Sequence, residues 1–211
     1  MHFLTEALTF PPVQESSPEG LLAIGGDLSV ERIVLAYQNG IFPWFEDGDP
    51  ILWWSPLERM VLFPEEFKVS KSMRNIMNRG IFKVTFNTVF REVMLHCQTV
   101  KREGQYGTWI SDEMIEAYCQ LHHMGKAMSV EVWQNNELVG GLYGVDMHPV
   151  FCGESMFSRV SNASKVAFIA LVNYIQEKDY TLLDCQIYND HLQSLGCREI
   201  PREVFMSFLK S

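Results

Sequence analysis

Three apolar runs of strand length follow one another between residues 127 and 157, and they restrict what this chain can fold into more than any other feature. Ala127–Trp133, Leu138–Val145 and Val150–Phe157 each read as a strand, and Gln134-Asn135-Asn136 supplies a hairpin turn between the first two. A helical pattern then covers about Ala163–Lys178, with Val166, Ile169, Ala170 and Asn173 along one stripe, and Thr181–Gln186 returns to strand. Antiparallel strands followed by strand–helix–strand predict an α+β domain built on a central mixed sheet.

The flanking segments divide into two kinds. Ser70 caps a helix Lys71–Asn78 closed by Gly80, with Met73, Ile76 and Met77 apolar and Lys71, Arg74, Asn75 and Asn78 on the other face. Ile81–Phe86 alternates as a strand, Asn87 begins a helix to about Val100, and Ser111 caps a helix ending at Gly125. Pro201 starts a terminal helix. The first 65 residues are irregular by contrast. Ser29 can cap a helix from Val30 to about Gln38 that turns Ile33, Val34 and Tyr37 inward and ends at Gly40. Beyond it, Pro43, Pro50 and Pro56 deny long elements to a stretch that must still place Phe42, Trp44, Phe45, Trp53 and Trp54. The expectation is a small, irregular N-terminal domain over 1–65 and the α+β domain over 66–211.

At 211 residues, with 47% apolar and 20% charged side chains, the chain can bury a sizeable core. No run of 18 apolar residues exists, so no membrane span is expected, and the N-terminus lacks the basic start and apolar run of a secretory leader. A cytoplasmic location is the default. The five cysteines (Cys97, Cys119, Cys152, Cys185, Cys197) are odd in number and form no Cys-x-x-Cys pair, so reduced thiols are expected. Neither they nor the adjacent His122-His123 offer metal-ligand spacing, and no metal is expected.

The net charge of -9 argues against a nucleic-acid partner until its distribution is followed. Residues 1–67 carry two basic and eleven acidic side chains, residues 68–102 eight basic and one acidic, and residues 103–211 seven basic and fourteen acidic. A local positive patch steers a polyanion even on an acidic protein, because salt screens charges beyond about 8 Å. A solvated helix and loop that happen to be basic is the alternative, and charge alone does not separate the two.

Several segments stand out, in order along the chain. They are Gly20-Leu21-Leu22-Ala23-Ile24-Gly25-Gly26-Asp27-Leu28, Gly40-Ile41-Phe42-Pro43-Trp44-Phe45, Leu52-Trp53-Trp54-Ser55-Pro56 and Gly107-Thr108-Trp109-Ile110. Further on stand Glu137-Leu138-Val139-Gly140-Gly141-Leu142-Tyr143-Gly144, Phe151-Cys152-Gly153-Glu154-Ser155-Met156-Phe157-Ser158, Asn162-Ala163-Ser164-Lys165 and Asp184-Cys185-Gln186, with Asn189-Asp190-His191 and Ser194-Leu195-Gly196 close behind. Together these segments carry a resemblance to the leucyl/phenylalanyl-tRNA–protein transferase family that runs over nearly the whole chain from about residue 18. It implies an enzyme of the N-end rule degradation pathway that takes Leu or Phe, and sometimes Met, from charged tRNA and joins it to proteins beginning with Arg or Lys. It also implies a GNAT-like C-terminal domain that does not use acetyl-CoA.

Such a reaction replaces an aminoacyl ester, already activated, with a peptide bond, so no ATP, metal or organic cofactor is required. The nucleophile is an α-amine of reference pKa about 7.7–8.0, and the protein must hold two substrates, accept a proton and stabilise an oxyanion. Asp184 and Gln186, two apart on a strand, share a face and can bind and orient the amine. Without the resemblance they read as a core hydrogen-bond network. Glu154 lies in an apolar strand, where a lone carboxylate needs a partner. It either pairs with a basic neighbour or helps receive the adenosine or the cationic acceptor. These three are the expected catalytic residues. Leu142, Phe151, Met156, Leu171, Ile175 and Leu183 are candidates for an apolar aminoacyl pocket, each also readable as core. Trp53, Trp54 and Trp109 are candidates to stack on the terminal adenosine, although at least one should be core. Lys71, Arg74 and Lys83, with Lys101 and Arg102, are candidates to meet acceptor-stem phosphates. A single chain suffices, so a monomer is expected.

Two alternatives remain. An acetyl-CoA-dependent N-acetyltransferase needs a glycine-bearing turn against the pyrophosphate, and Arg159-Val160-Ser161-Asn162-Ala163-Ser164 has no glycine. A non-catalytic tRNA-binding module would need only the basic segment.

Overall fold

The structure, a computed structural model, describes residues 1–100 and 109–210. Seven strands form one mixed sheet. Across it run β11 (Arg198–Pro201), β5 (Glu58–Leu62), β10 (Leu182–Gln186), β9 (Val150–Ser158), β8 (Glu137–Met147), β7 (Ala127–Gln134) and β6 (Lys83–Phe86). Asn135 and Asn136 both take left-handed φ values, 52° and 65°, as the two-residue turn between β7 and β8 requires. Helix α5 (Ala163–Glu177) carries the chain from β9 to its parallel neighbour β10, while every other pairing in this sheet is antiparallel.

The sheet separates two apolar layers. Helix α5 covers one face together with α2 (Lys71–Asn78), burying Val130, Leu142, Phe151, Leu171, Ile175 and Leu183. The helix can lie this close because Gly140 faces Ala163: a Cβ on Gly140 would stand 2.5 Å from the Ala163 Cβ. The other face packs against α3 (Phe90–Gln98) and α4 (Asp112–His123), with α1 (Val30–Gln38) beyond. This second layer is continuous with a small sheet of four strands in the order β1 (His2–Leu4), β2 (Leu21–Gly25), β4 (Leu52–Trp54) and β3 (Phe42–Pro43). Two short helices, α6 (Asp190–Ser194) and α7 (Arg202–Phe208), flank β11.

Side-chain caps fix the helix starts that the sequence signals. Ser29, Ser70 and Ser111 accept from the amides of Arg32, Met73 and Met114, and α1 and α2 span the residues expected of them. The N-terminal segment is more regular than its prolines suggest, because strands of two to five residues leave almost no periodicity to read. Pro43 is accommodated on edge strand β3, where its missing N–H is harmless. Strand β5 leaves this segment to enter the large sheet, so the expected boundary near residue 65 falls after a strand of that sheet rather than before it. Pro201 ends β11 and caps α7 rather than occupying its first turn. Among the described residues no helix is long and apolar enough to cross a membrane.

The Gly140 contact gives a test of the α5 layer. Gly140→Ala is expected to destabilise the protein by about 1–3 kcal/mol in denaturant unfolding, since backbone and Ala163 both crowd the new methyl. An unchanged midpoint would mean that helix and sheet are not in this contact.

A buried carboxylate network as the candidate active site

The parallel pairing of β9 with β10 lasts only three residues, Val150–Cys152 against Leu182–Asp184, and then the strands part. Two local irregularities open the gap. On β9, Tyr143 pairs with Ser155 but the next residue, Gly144, pairs with Gly153, so Glu154 is extra and bulges. On β10, the register against β5 shifts between Asp184 and Gln186, and Gln186 takes a left-handed φ of 67°. A non-glycine residue in that region is held there by its surroundings. Across the gap the Gln186 Nε2 donates to Glu154 Oε1 at 2.7 Å.

Asp184 anchors this arrangement. Its carboxylate is 0% exposed and takes a bidentate pair from Arg59 on β5, Nε to Oδ1 at 2.8 Å and Nη2 to Oδ2 at 2.7 Å. The same Oδ1 accepts the Gln186 backbone N–H at 2.9 Å, which pins the left-handed residue. Arg59 is itself 1% exposed. Its Nη1 donates to the Gly40 carbonyl at 3.1 Å, and its guanidinium lies over the rings of Phe42 and Phe205, 4.8 and 4.5 Å from their centroids. All three guanidinium nitrogens therefore donate, and two aromatic rings pack on the cation. Burial, the largest single influence, would lower the Arg59 pKa, but the Asp184 charge and hydrogen bonds, with smaller contributions from Cys152 and Tyr37, together outweigh it and the net shift is upward.

Glu154 differs from Asp184 in having no cation in contact. Its carboxyl accepts from Gln186 Nε2 and from the Tyr37 hydroxyl, which in turn lies 2.7 Å from the Tyr118 hydroxyl. Burial pushes its pKa up from 4.5 to about 8, and the nearby Asp184 charge adds to the rise while the two hydrogen bonds oppose it. It nevertheless keeps partial contact with solvent, unlike Asp184 and Arg59. A carboxyl that titrates near neutrality at the mouth of a strand gap can exchange a proton with an incoming group.

The structure brings the three expected catalytic residues together and separates them from most of the expected pocket. Leu183 and Asp184 are neighbours on β10 and so point to opposite faces. Leu142, Phe151, Leu171, Ile175 and Leu183 are sealed in the α5 layer, behind the sheet from Asp184. Met156, half-buried on β9 just past the bulge, is the member at the gap. Of the tryptophans, Trp53 is wholly enclosed, donates to the Gly25 carbonyl and meets Phe10 edge-on, so it presents no ring face to a base. Trp54 and Trp109 are half-buried, and Trp54 donates to the Trp44 carbonyl. Lys71, Arg74 and Lys83 are exposed, and among the described residues none of them is in an ion pair. Arg74 joins Lys68, Phe67, Met77, Asn78 and Asn173 around a groove of about 500 Å³. Lys101 and Arg102 lie outside the described residues. No group of three His, Cys, Asp or Glu that could hold a metal ion occurs among the described residues.

Arg59, Tyr37 and Tyr118 are the site residues that sequence reasoning missed. Arg59 heads the apolar run Met60-Val61-Leu62, and a cation in that position signals a buried partner elsewhere. Tyr37 was legible as an inward residue of α1, but its hydroxyl contact lies 81 positions away. Nothing local marks Tyr118.

Two family profiles match successive parts of the chain. The profile described as "Leucyl/phenylalanyl-tRNA protein transferase" matches residues 61–210, and that of the corresponding N-terminal domain matches residues 26–57. The leucyl/phenylalanyl-tRNA–protein transferase of Flavobacterium psychrophilum is 70% identical, with all of both chains covered. That of Flavobacterium johnsoniae is 66% identical over the same full coverage. The protein of the same name from Nitrosospira multiformis is 53% identical, covering 99% of this chain and 90% of its own.

Removing one partner of the Arg59–Asp184 pair is expected to cost about 3–5 kcal/mol, because the other charge is left buried and uncompensated. Denaturant unfolding of Arg59→Met should show this loss, and adding Asp184→Asn should restore more than half of it. A loss under 1 kcal/mol in the single variant would contradict the burial of the pair.

Proposed function

The chain belongs to the leucyl/phenylalanyl-tRNA–protein transferase family and moves an aminoacyl group from tRNA to protein, and we propose that Glu154, at the parting of β9 and β10, is where the acceptor amine gives up its proton. One observation carries this reading. Glu154 is a half-buried residue at the parting of two strands, and its carboxyl has a pKa of about 8, close to the reference value of about 7.7–8.0 for an α-amine. Proton transfer between groups of matched pKa runs with little thermodynamic penalty in either direction.

The α-amine nitrogen attacks the ester carbonyl carbon, forming the C–N bond. Glu154 takes a proton from that nitrogen, and as the ester C–O bond breaks it returns the proton to the departing ribose oxygen. Asp184 is not the proton acceptor in this scheme: it is sealed and neutralised by Arg59. Its part is positional, through the Gln186 backbone, and Gln186 in turn fixes the orientation of Glu154. Tyr37 holds the other side of that carboxyl, with Tyr118 behind it.

The donors are proposed to be Leu- and Phe-tRNA, with Met tolerated. The donor side chain enters the gap beside Met156 and displaces the apolar layer of Leu142, Phe151, Leu171, Ile175 and Leu183, which must open by the volume of one side chain. A pocket of that chemistry separates large apolar residues weakly and rejects charged ones. Trp54 and Trp109 offer ring surface for the terminal adenosine, and Lys71, Arg74 and Lys83 attract the acceptor stem. Acceptors are proteins beginning with Arg or Lys, drawn by the Glu154 carboxylate, since the Asp184 charge is already matched. We read the β9–α5–β10 unit as a GNAT-like domain acting as a monomer in the cytoplasm, within the N-end rule pathway. Use of acetyl-CoA is disfavoured locally. The amide of Ser164, at the start of α5, is already taken by Ser158 Oγ, and the turn has no glycine to admit a pyrophosphate.

Glu154→Gln is expected to lower kcat by about 10²-fold with Phe-tRNA and an Arg-initiated peptide, product being measured by mass. In the unmodified protein kcat should rise as pH passes through about 8, because the carboxylate form accepts the proton, and the glutamine variant should lose that limb. An unaltered kcat would remove the assignment. For tRNA binding, Lys71→Gln and Arg74→Gln should each reduce the slope of log affinity against log salt by about 1. A slope the variants leave unchanged excludes these residues from the interface.

A further inference from the structure

Two thiols beside this centre have no part in the chemistry above. Cys185 lies on β10 between Asp184 and Gln186, with its side chain in the α5 layer. Cys197, 12 positions later, follows Gly196, whose left-handed φ of 99° turns the chain out of α6 and into β11. The Cys197 amide donates to the Leu192 carbonyl at 3.1 Å, which fixes the approach, and the two Sγ atoms stand 3.8 Å apart. Cys197 is a buried residue, whereas Cys185 is half-buried and so is the less enclosed of the two. Cys97 and Cys152 are buried elsewhere, and Cys119 is on α4.

We propose that Cys185 and Cys197 form a modification site, a dithiol that a peroxide oxidises to an intramolecular disulfide and that thereby switches the transferase off. Hydrogen peroxide accepts the two electrons. The Cys185 thiolate attacks one peroxide oxygen, giving a sulfenic acid and one water, and the Cys197 thiolate then displaces the second water as the S–S bond forms. Two thiols lose two hydrogens and one peroxide becomes two waters.

The bond has a geometric consequence for the centre, and this step rests on the Glu154–Gln186 reading above. A disulfide is about 2.05 Å long, so the sulfurs must close by about 1.8 Å from their present 3.8 Å. Cys185 is covalently between the two residues that set the site. Its displacement pulls the Gln186 amide from Asp184 Oδ1 and its side chain from Glu154 Oε1, now 2.9 and 2.7 Å away. A misplacement of about 1 Å at a reacting centre can reduce turnover by about 10²-fold. A reversible intracellular disulfide is the kind that serves redox sensing rather than structure. The Cys185 thiol is pushed well up from its ordinary range, first by its contact with Cys197 and then by burial. Oxidation is therefore slow at neutral pH and quickens about tenfold per pH unit as the thiolate fraction grows.

The test treats the full-length reduced protein with hydrogen peroxide at pH 7.5 and 8.5, quenches it with an alkylating agent, and measures intact mass, the cross-linked peptide and transfer from Phe-tRNA to an Arg-initiated peptide. The expected result is a loss of two hydrogens in a peptide joining residues 185 and 197, faster at the higher pH. Activity should fall at least tenfold and return with dithiothreitol. Cys197→Ala and Cys197→Ser should keep their reduced activity and resist peroxide. A cross-linked protein of full activity, a protein that never forms the bond, or Cys197 variants that are reversibly inactivated to the same extent would each overturn the proposal. A reduced protein inactive in transfer instead sinks the functional reading, which keeps the two failures apart.

Discussion

The ion pair between Arg59 and Asp184 holds the rest of the site in place. It joins β5, delivered by the N-terminal segment, to β10 in the middle of the large sheet, and the same guanidinium reaches back to Gly40 and the Phe42 ring of the small sheet. A fully buried pair of this kind is poor evidence for added stability, since desolvating both ions costs about as much as their attraction returns. What it secures is register. Any slip of β5 against β10 by one residue would turn Arg59 to the α5 layer and leave Asp184 unpaired. The left-handed backbone of Gln186, unfavourable in isolation, is affordable only because the same carboxylate accepts its amide.

The sheet then sorts functions by face. Side chains alternating along β10 send Leu183 and Cys185 into the α5 layer and Asp184 toward Arg59. Beyond Cys152 and Asp184 the two strands part, and the bulge at Glu154 places a carboxyl there that regular pleating would have directed elsewhere. The polar and apolar sides of β10 are thus consequences of period-two geometry, interrupted at one place. The tyrosine pair behind Glu154 comes from α1 and α4, so the N-terminal segment contributes to the site through Tyr37 as well as through β5.

How far this was legible in the sequence depended on range. Elements governed by local signals were readable: serine caps set α1, α2 and α4, and the Asn-Asn turn set the β7–β8 hairpin. Strands of two to five residues such as β2, β3 and β4 were not, because pairing partners rather than their own periodicity define them. In the site, Asp184, Gln186 and Glu154 could be named only with the family resemblance beside their residue type, and their partners could not be named at all. Arg59 is 125 positions from Asp184 and Tyr37 is 81 from Tyr118. The apolar candidates show the converse failure. Leu142 and Leu183 look alike whether they line a pocket or fill a core, and only the face they occupy decides. Trp53 and Trp54 are adjacent in sequence, yet one is sealed and the other half-open.

The contrast between the two carboxylates explains why the pair is useful. Asp184 meets a cation, whereas Glu154 meets only an amide and a hydroxyl and is raised to about 8. The sign of the linkage follows. A carboxyl whose folded pKa exceeds its unfolded value of about 4.5 favours the folded state fully below that value, and the contribution is lost as pH rises toward about 8. Near neutral pH the protein therefore sits where Glu154 is losing its stabilising proton, and a group that gives up its proton at that point is one that can take another from an amine. Placing Arg59 beside Glu154 instead would favour its ionised form and make the carboxyl a weaker base.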